Sequence, residues 1–262
     1  MSDVILSIEG ALARVTLNRP DVHNAFNEDV INSLIDCFER VAIDDNIRVM
    51  VLQSSGKSFS AGADLNWMKK MASYSEAENM ADAQRLALML NKLYNLPKPT
   101  IARVQGAAYG GAVGLIACCD IVIASRLSKY CLSEVKLGLI PATISPYLVK
   151  AIGPRNAKHL FMTAQVFSAR RARRIGLISE AVSEDELDSQ IEDVISAILK
   201  NGPYAVAQAK ALVDEVENQE IDEKLMCLTS KHIAKIRVSE EGQEGLKAFL
   251  DKRPANWVDS YD

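Results

Sequence analysis

The sequence predicts an α/β core followed by a mainly helical carboxy-terminal region. Short β-rich runs alternate with helical patterns through the first half of the chain, which is typical of an α/β core. From residue 145 onward the patterns are mostly helical, and no linker or internal repeat divides the chain. A chain of 262 residues, 48% hydrophobic and 24% charged, can bury a sizeable core. We therefore expect a core over residues 1–200 and a helical region over residues 201–262.

The first elements form a β-β-α-β pattern. The runs "VILSIE" and "ALARVTL" flank Gly10, which can adopt the positive φ that a tight hairpin needs. Asn27 is a predicted helix cap, and "VMVLQ" at 49–53 is the next strand. The helix between them should bury an apolar face formed by Ile31, Leu34, Ile35, Phe38 and Val41.

The pattern continues with further helices and strands. Ser75 and Glu78 form a capping box, and "LPKP" at 96–99 ends the helix that follows. A strand at "TIARV", a glycine-rich turn, a helix over 111–118 and a strand at "IVIA" come next. Later helices are predicted over 155–164, 168–175, 184–200, 203–217 and 220–237.

Composition excludes several classes of protein. The formal charge of −4 leaves no overall basic footprint for nucleic acid, and the arginine-rich segment 170–174 is interpreted as a solvated helix face or subunit contact. Five cysteines without a C-x-x-C pair predict buried reduced thiols. The apolar stretch 101–124 is interrupted by polar residues and falls short of the roughly 20 apolar residues that a bilayer requires. The amino-terminal residues lack a basic start followed by an apolar run, which predicts a cytoplasmic location.

Two turns of small residues follow predicted strands. One runs from Ser60 to Asp64 as "SAGAD", and the other from Gly106 to Gly111 as "GAAYGG". Their spacing does not match a phosphate-binding loop. Small side chains let a ligand atom reach backbone N–H groups, and two convergent N–H donors suit an oxyanion. The alternative is that these residues only permit close packing of the backbone.

Four motifs, in this order along the chain, resemble the crotonase superfamily, the enoyl-CoA hydratase/isomerase group. They are "SFSAGADLNWM", "VQGAAYGGAVGLIACCDIVIA", "SEVKLGLIP" and "EEGQEGLKAFLDKRPANW". The resemblance implies a spiral core of β-β-α turns with two nearly perpendicular sheets and a helical carboxy-terminal trimerisation region. It also implies a trimer or a dimer of trimers, and an acyl-CoA thioester as substrate.

The resemblance further implies the roles of individual residues. The backbone N–H groups of Ala63 and Gly111 would hold the thioester oxygen, and Glu134 would transfer a proton. Similar hydratases use two glutamates, but Gly114 stands where the first one is expected. Coenzyme A belongs to the substrate, so no separate cofactor is expected, and no metal-ligand spacing is present. Substrate or CoA contacts are implied for Ser60, Ala61, Gly62, Asp64, Leu65, Trp67, Tyr109, Gly110, Gly114 and His23.

Details of these motifs are most similar to bacterial methylglutaconyl-CoA hydratases of leucine breakdown, which also carry glycine at the first glutamate's place. The predicted function is therefore reversible hydration of a branched, carboxylated 2-enoyl-CoA, with Glu134 donating a proton to the α-carbon. The water would be oriented by the substrate's distal carboxylate or by Ser133, Tyr109 or Ser145. A Δ3,Δ2-enoyl-CoA isomerase that uses Glu134 alone is the main alternative. A non-catalytic or an RNA-binding relative remains a further one.

Overall fold

The computed structural model describes residues 2–258, which form two compact units. The first unit comprises residues 2–96 and 100–191 and contains all nine strands found in the described part of the chain. The second comprises residues 97–99 and 192–258 and is helical. Two sheets and ten α-helices in residues 2–258 confirm the predicted α/β class.

A six-stranded sheet forms the centre of the first unit. Strands are numbered in chain order through both sheets, and β5, β7 and β8 belong to the smaller sheet. The larger sheet contains β1 (Val4–Glu9), β2 (Leu12–Leu17), β3 (Val49–Ser54), β4 (Thr100–Val104), β6 (Ile121–Ser125) and β9 (Glu180–Val182). They lie side by side in that same order. The predicted hairpin of β1 and β2 is antiparallel, and Gly10 in its turn has a φ of 58°. Every later pair is parallel.

A three-stranded sheet lies beside the segments that carry the predicted site. It consists of β5 (Ala107–Tyr109), β7 (Lys129–Cys131) and β8 (Phe167–Ser168), in that order. β5 and β7 are parallel, so the glycine-rich turn after β5 and the segment after β7 leave the sheet at the same edge.

The helices of the first unit are α1 (Glu28–Ile43), α2 (Leu65–Met71), α3 (Glu76–Tyr94), α4 (Gly111–Cys118), α5 (Ser145–Thr163) and α6 (Ala169–Arg174). α7 (Leu187–Leu199) leads into the second unit, which contains α8 (Pro203–Val216), α9 (Glu223–Arg237) and α10 (Glu240–Leu250). Both predicted caps are confirmed: the Asn27 side chain accepts a hydrogen bond from Val30 N at 2.8 Å, and Ser75 and Glu78 form a capping box. The predicted apolar face of α1 is buried in the core.

Some predicted elements differ from the structure. α5 begins at Ser145, ten residues before the predicted start, and Gly153 interrupts it with a φ of 73°. Gly153 precedes Pro154, and helical backbone is disfavoured for a residue before a proline. This explains why the interruption lies at Gly153. The helices α2 and α10 were not predicted; they begin after the capping residues Asp64 and Ser239.

The cysteines and the apolar stretch can also be compared with prediction. All five cysteines are free thiols, but Cys227 is exposed and Cys119 is only half-buried, so the prediction that all are buried was wrong for these two. Cys227 lies on α9, a helix without fully buried residues, so nothing covers it within its unit. No helix in residues 2–258 is long and apolar enough to cross a membrane.

Asn24 fixes the turn that follows β3. Its side chain is 2% exposed and donates hydrogen bonds to the carbonyl oxygens of Ser55, at 2.8 Å, and Ser58, at 2.9 Å. Its own amide oxygen accepts from the backbone N–H of Arg19 at 2.8 Å. A single buried side chain therefore ties the segment between β3 and the first small-residue turn to Arg19, just after the hairpin.

We expect Asn24→Ala to lower the free energy of unfolding by about 1–3 kcal/mol, because buried carbonyl groups lose their donors. For a chain of this size the melting temperature should fall by about 2–4 °C per kcal/mol. Asn18→Ala is the matched control, since the Asn18 amide makes one exposed bond to Ser2 O. Equal melting temperatures for the two variants would contradict this account of Asn24.

Candidate active site

The two small-residue turns lie in direct backbone contact. Ser60 pairs with Ala108 of β5 as an isolated parallel bridge: Ser60 N donates to Ala107 O at 3.1 Å, and Tyr109 N donates to Ser60 O at 3.0 Å. Gly62 has a φ of 93°, and a Cβ there would lie 3.0 Å from Tyr109 O. Close packing therefore does explain this glycine, as the alternative interpretation of the sequence held.

The same packing leaves one backbone amide of the first turn without a partner. Phe26 N donates to Gly62 O and Asp64 N donates to Phe26 O, both at 2.7 Å. Because successive residues of an extended segment direct their N–H groups to opposite sides, the N–H of Ala63 points away from Phe26. Ala63 is exposed, and within residues 2–258 its N–H donates to no protein acceptor.

A second unpaired amide lies at the start of α4. Gly110 precedes the helix with a φ of 54° and donates its own N–H to Cys131 O at 2.9 Å. Gly111 is the first helical residue, and its N–H has no acceptor in the described residues, as expected for the first turn of a helix. A Cβ at Gly111 would lie 3.5 Å from the Phe26 ring. Phe26 thus contacts both Gly111 and the segment that carries Ala63.

Glu134 brings a carboxyl group to this place. It begins a short 3-10 turn, Glu134–Leu137, three residues after the end of β7. Its Oε1 atom lies 3.5 Å from where a Cβ of Gly110 would be, so the carboxyl group faces the start of α4. Its Oε2 atom is buried and has no hydrogen-bond partner in the described residues. Burial raises the pKa of Glu134 above its ordinary value, because the charged form loses water and gains little in return.

Gly114 lies one helical turn after Gly111 and is buried. A Cβ at this position would be 2.2 Å from Ile144 Cγ2 and 2.8 Å from Ile144 Cβ. The nearest other atom is Leu90 Cδ2, at 3.6 Å. The space where the resemblance placed a first glutamate is therefore filled by an apolar side chain.

Three of the other predicted contact residues are engaged within the protein. Asp64 caps α2 by accepting from Asn66 N at 2.8 Å, and it forms an ion pair with Arg19 at 3.1 Å. Trp67 is 5% exposed and donates its indole N–H to Asp82 at 3.1 Å. The Ser60 hydroxyl is buried and accepts from Gly62 N at 3.2 Å. These side chains brace the first turn and the helix that follows it.

The remaining predicted contact residues are more open. Ala61 and Leu65 are exposed, and Tyr109 is half-buried. His23 is exposed, has a φ of 52°, and its carbonyl oxygen accepts from Ala61 N at 2.9 Å. The structure therefore brings together Ala63, Gly110, Gly111 and Glu134, with the exposed residues around the first turn.

Sequence reasoning missed Phe26 and Ile144, which shape this place most. Neither lies in a recognisable motif, and their roles depend on contacts between segments far apart in the chain. The one signal in the sequence was Gly114, because a glycine inside a buried helix indicates that a large side chain packs against that position. No group of three or more His, Cys, Asp or Glu residues in the described part of the chain could hold a metal ion.

Comparisons with known proteins identify the family of this chain. The sequence model of the family described as enoyl-CoA hydratase/isomerase matches residues 7–260. The chain is 34% identical to the crotonyl-CoA hydratase of Syntrophomonas wolfei, with 98% of both chains covered. It is 32% identical to the short-chain-enoyl-CoA hydratase of Clostridium acetobutylicum, over 97% of this chain and 96% of the relative.

A solved structure agrees as well. The crystal structure of an enoyl-CoA hydratase from Shewanella pealeana superposes with a TM-score of 0.94 at 45% identity, covering 97% of this chain and 96% of that one. Together with the paired turns and the buried carboxyl group, these matches show that the chain belongs to the enoyl-CoA hydratase/isomerase family and is an enzyme of the enoyl-CoA hydratase type.

Proposed function

We propose that this protein reversibly hydrates a branched, carboxylated 2-enoyl-CoA such as 3-methylglutaconyl-CoA. One observation carries the proposal: Glu134, whose Oε2 atom is buried without a hydrogen-bond partner in the described residues, faces the start of α4 with its unpaired Gly111 amide, while Ile144 fills the place of a second carboxyl group. The hydratase names of the relatives favour addition of water over other reactions of the family.

The amides of Ala63 and Gly111 bind the thioester oxygen. When the oxygen atom of water bonds to the β-carbon, the electron pair of the double bond moves toward the thioester, and negative charge develops on its oxygen. N–H donors that are already in position stabilise this charge without reorganisation, and one such donor is typically worth about 3–4 kcal/mol in the transition state.

Glu134 completes the addition. Its protonated carboxyl group donates a proton to the α-carbon, so that the enolate returns to a thioester and the carboxylate remains. A raised pKa suits this role, because burial favours the protonated form that donates the proton.

The water must also lose a proton, and the described residues supply no second carboxyl group at Gly114 to take it. Ser145 already donates its hydroxyl to Ala142 O at 2.8 Å. The hydroxyl groups of Tyr109 and Ser133 make no hydrogen bond in the described residues and can orient the water. In the proposal the distal carboxylate of the substrate takes this proton, which is why the substrate is carboxylated.

The second candidate is a Δ3,Δ2-enoyl-CoA isomerase. A single carboxyl group facing the start of α4 could carry one proton from the carbon that loses it to the carbon that gains it. This reaction needs no base for water, so the absence of a carboxylate at Gly114 is compatible with it.

We expect a panel of acyl-CoA substrates to separate these functions. Hydration can be measured as the loss of enone absorbance. Its kcat/KM should be at least about tenfold higher for 3-methylglutaconyl-CoA than for the same acyl-CoA without its distal carboxylate. Glu134→Gln should lower the rate by about 10²- to 10⁴-fold, the usual contribution of general acid–base catalysis. Movement of the double bond in a 3-enoyl-CoA without hydration would favour the isomerase.

Removal of one backbone donor tests the role of Gly111. Proline lacks an N–H but is tolerated at the first helical position, so Gly111→Pro should keep α4 and lower kcat by about 10²- to 10³-fold. Gly111→Ala retains the N–H and is the control, since an added Cβ would meet the Phe26 ring at an ordinary 3.5 Å. Equal kcat values for the two variants would show that this amide does not stabilise the transition state.

Glu134→Gln should also change stability in a pH-dependent way. A raised pKa means that folding favours the protonated carboxyl group, so the stability it contributes is present below the unfolded pKa of about 4.3 and is lost as pH rises through the folded pKa. The variant should therefore melt at a higher temperature than the wild type at pH 7, and the difference should shrink toward pH 4. A wild type that is more stable than the variant at pH 7 would be inconsistent with an unpaired buried carboxylate.

A further inference from the structure

We infer that Ile144 is a specificity-determining residue: its side chain closes the position at Gly114 against a second carboxyl group and thereby limits this enzyme to substrates that bring their own base. The inference deepens the proposed function and rests on it for its chemical part. Its steric part rests only on the contacts between two side-chain positions.

Gly114 is an unusual choice for its place in the chain. It lies inside α4 with its neighbours buried, and a glycine inside a helix is destabilising by roughly 0.5–1 kcal/mol relative to alanine. Its backbone is helical, so no positive φ requires glycine here. What requires it is the Cγ2 atom of Ile144, 2.2 Å from where a Cβ would lie.

The obstruction cannot be relieved by a change of rotamer. The Cβ atom of Ile144 itself is only 2.8 Å from the same point, and Cβ does not move when the side chain rotates. The backbone of Ile144 is held by Leu148 N, which donates to its carbonyl oxygen at 3.1 Å at the start of α5. Ile144 is 2% exposed, and Leu90 Cδ2 stands 3.6 Å from the same point.

If Ile144 left room for it, a carboxyl group at position 114 would lie on the face of α4 that carries the Gly111 amide and could act as a base there. Residues three apart on a helix lie on the same face, so position 114 shares a face of α4 with Gly111. Ile144 lies on the segment that joins the 3-10 turn of Glu134 to α5, and α5 packs against both α4 and that turn. The position therefore shares a helix face with the Gly111 amide, and α5 packs against both that helix and the turn of Glu134.

The steric part is tested by thermal unfolding of a double-mutant cycle. Gly114→Ala should lower the melting temperature by several degrees in the wild-type background, because overpacking in a close-packed core typically destabilises. The same change in an Ile144→Gly background should lower it by about 1 °C or less, or raise it. Ile144→Gly is needed because Ile144→Ala would leave the Cβ at 2.8 Å. Equal effects of Gly114→Ala in both backgrounds would overturn the inference.

The chemical part is tested with crotonyl-CoA, which has no distal carboxylate. The double variant Gly114→Glu with Ile144→Gly should hydrate it at least tenfold faster than Ile144→Gly alone, whereas Gly114→Glu alone should give poorly folded protein. Gly114→Gln with Ile144→Gly is the matched control, with the same shape and no base, and should show no gain. Equal rates for the Glu and Gln double variants would overturn the chemical part.

Failure of the inference and failure of the proposed function are distinguishable. If the wild type does not hydrate carboxylated enoyl-CoA substrates, the proposed function fails, yet the coupling of melting temperatures between positions 114 and 144 is unaffected. If that coupling is absent while the wild type hydrates such substrates, the inference fails and the proposed function stands.

Discussion

The candidate site depends on one packing constraint, the contact of the first small-residue turn with the second. Gly62 allows the backbone after β3 to approach Tyr109 O, and the Ser60–Ala108 bridge fixes the register of that approach. Because Phe26 pairs with both neighbours of Ala63, the amide of Ala63 is turned outward and left unpaired. The helical start at Gly111 supplies the second amide. In both turns the residue next to the unpaired amide is held by a hydrogen bond: Asp64 N donates to Phe26 O, and Gly110 N donates to Cys131 O.

The electrostatics of the site follow from the same packing. The Gly110–Cys131 bond holds the end of β7 against the start of α4 and so places Glu134 where one of its oxygens is buried without a partner. A buried unpaired carboxylate costs stability, and such costs persist in proteins mainly where function needs them. Burial is also what raises the pKa of Glu134, and Ile144 and Leu90 keep the space at position 114 apolar.

The sequence predicted the elements of the core better than their contacts. The hairpin around Gly10 and the caps at Asn27 and Ser75 were predictable because they depend on residues a few positions apart. Small residues after strands predicted two turns with accessible amides, and the family resemblance selected Ala63 and Gly111; the contacts of both turns with Phe26 became visible only in the structure. The predicted helix began only after Pro154, so the part of α5 before the kink at Gly153 was missed. The filling of position 114 by Ile144 could not be predicted, because the two residues are thirty positions apart in the chain and meet only in the folded protein.

The central claim is that the amides of Ala63 and Gly111 bind one thioester oxygen. The most direct test is vibrational spectroscopy of a saturated acyl-CoA, labelled with carbon-13 at its thioester carbonyl and bound to the wild-type protein. Two fixed donors should polarise the bond, and we expect its stretching frequency to be lower in the complex than for the same thioester free in water. A frequency equal to or higher than that of the free thioester would contradict the account.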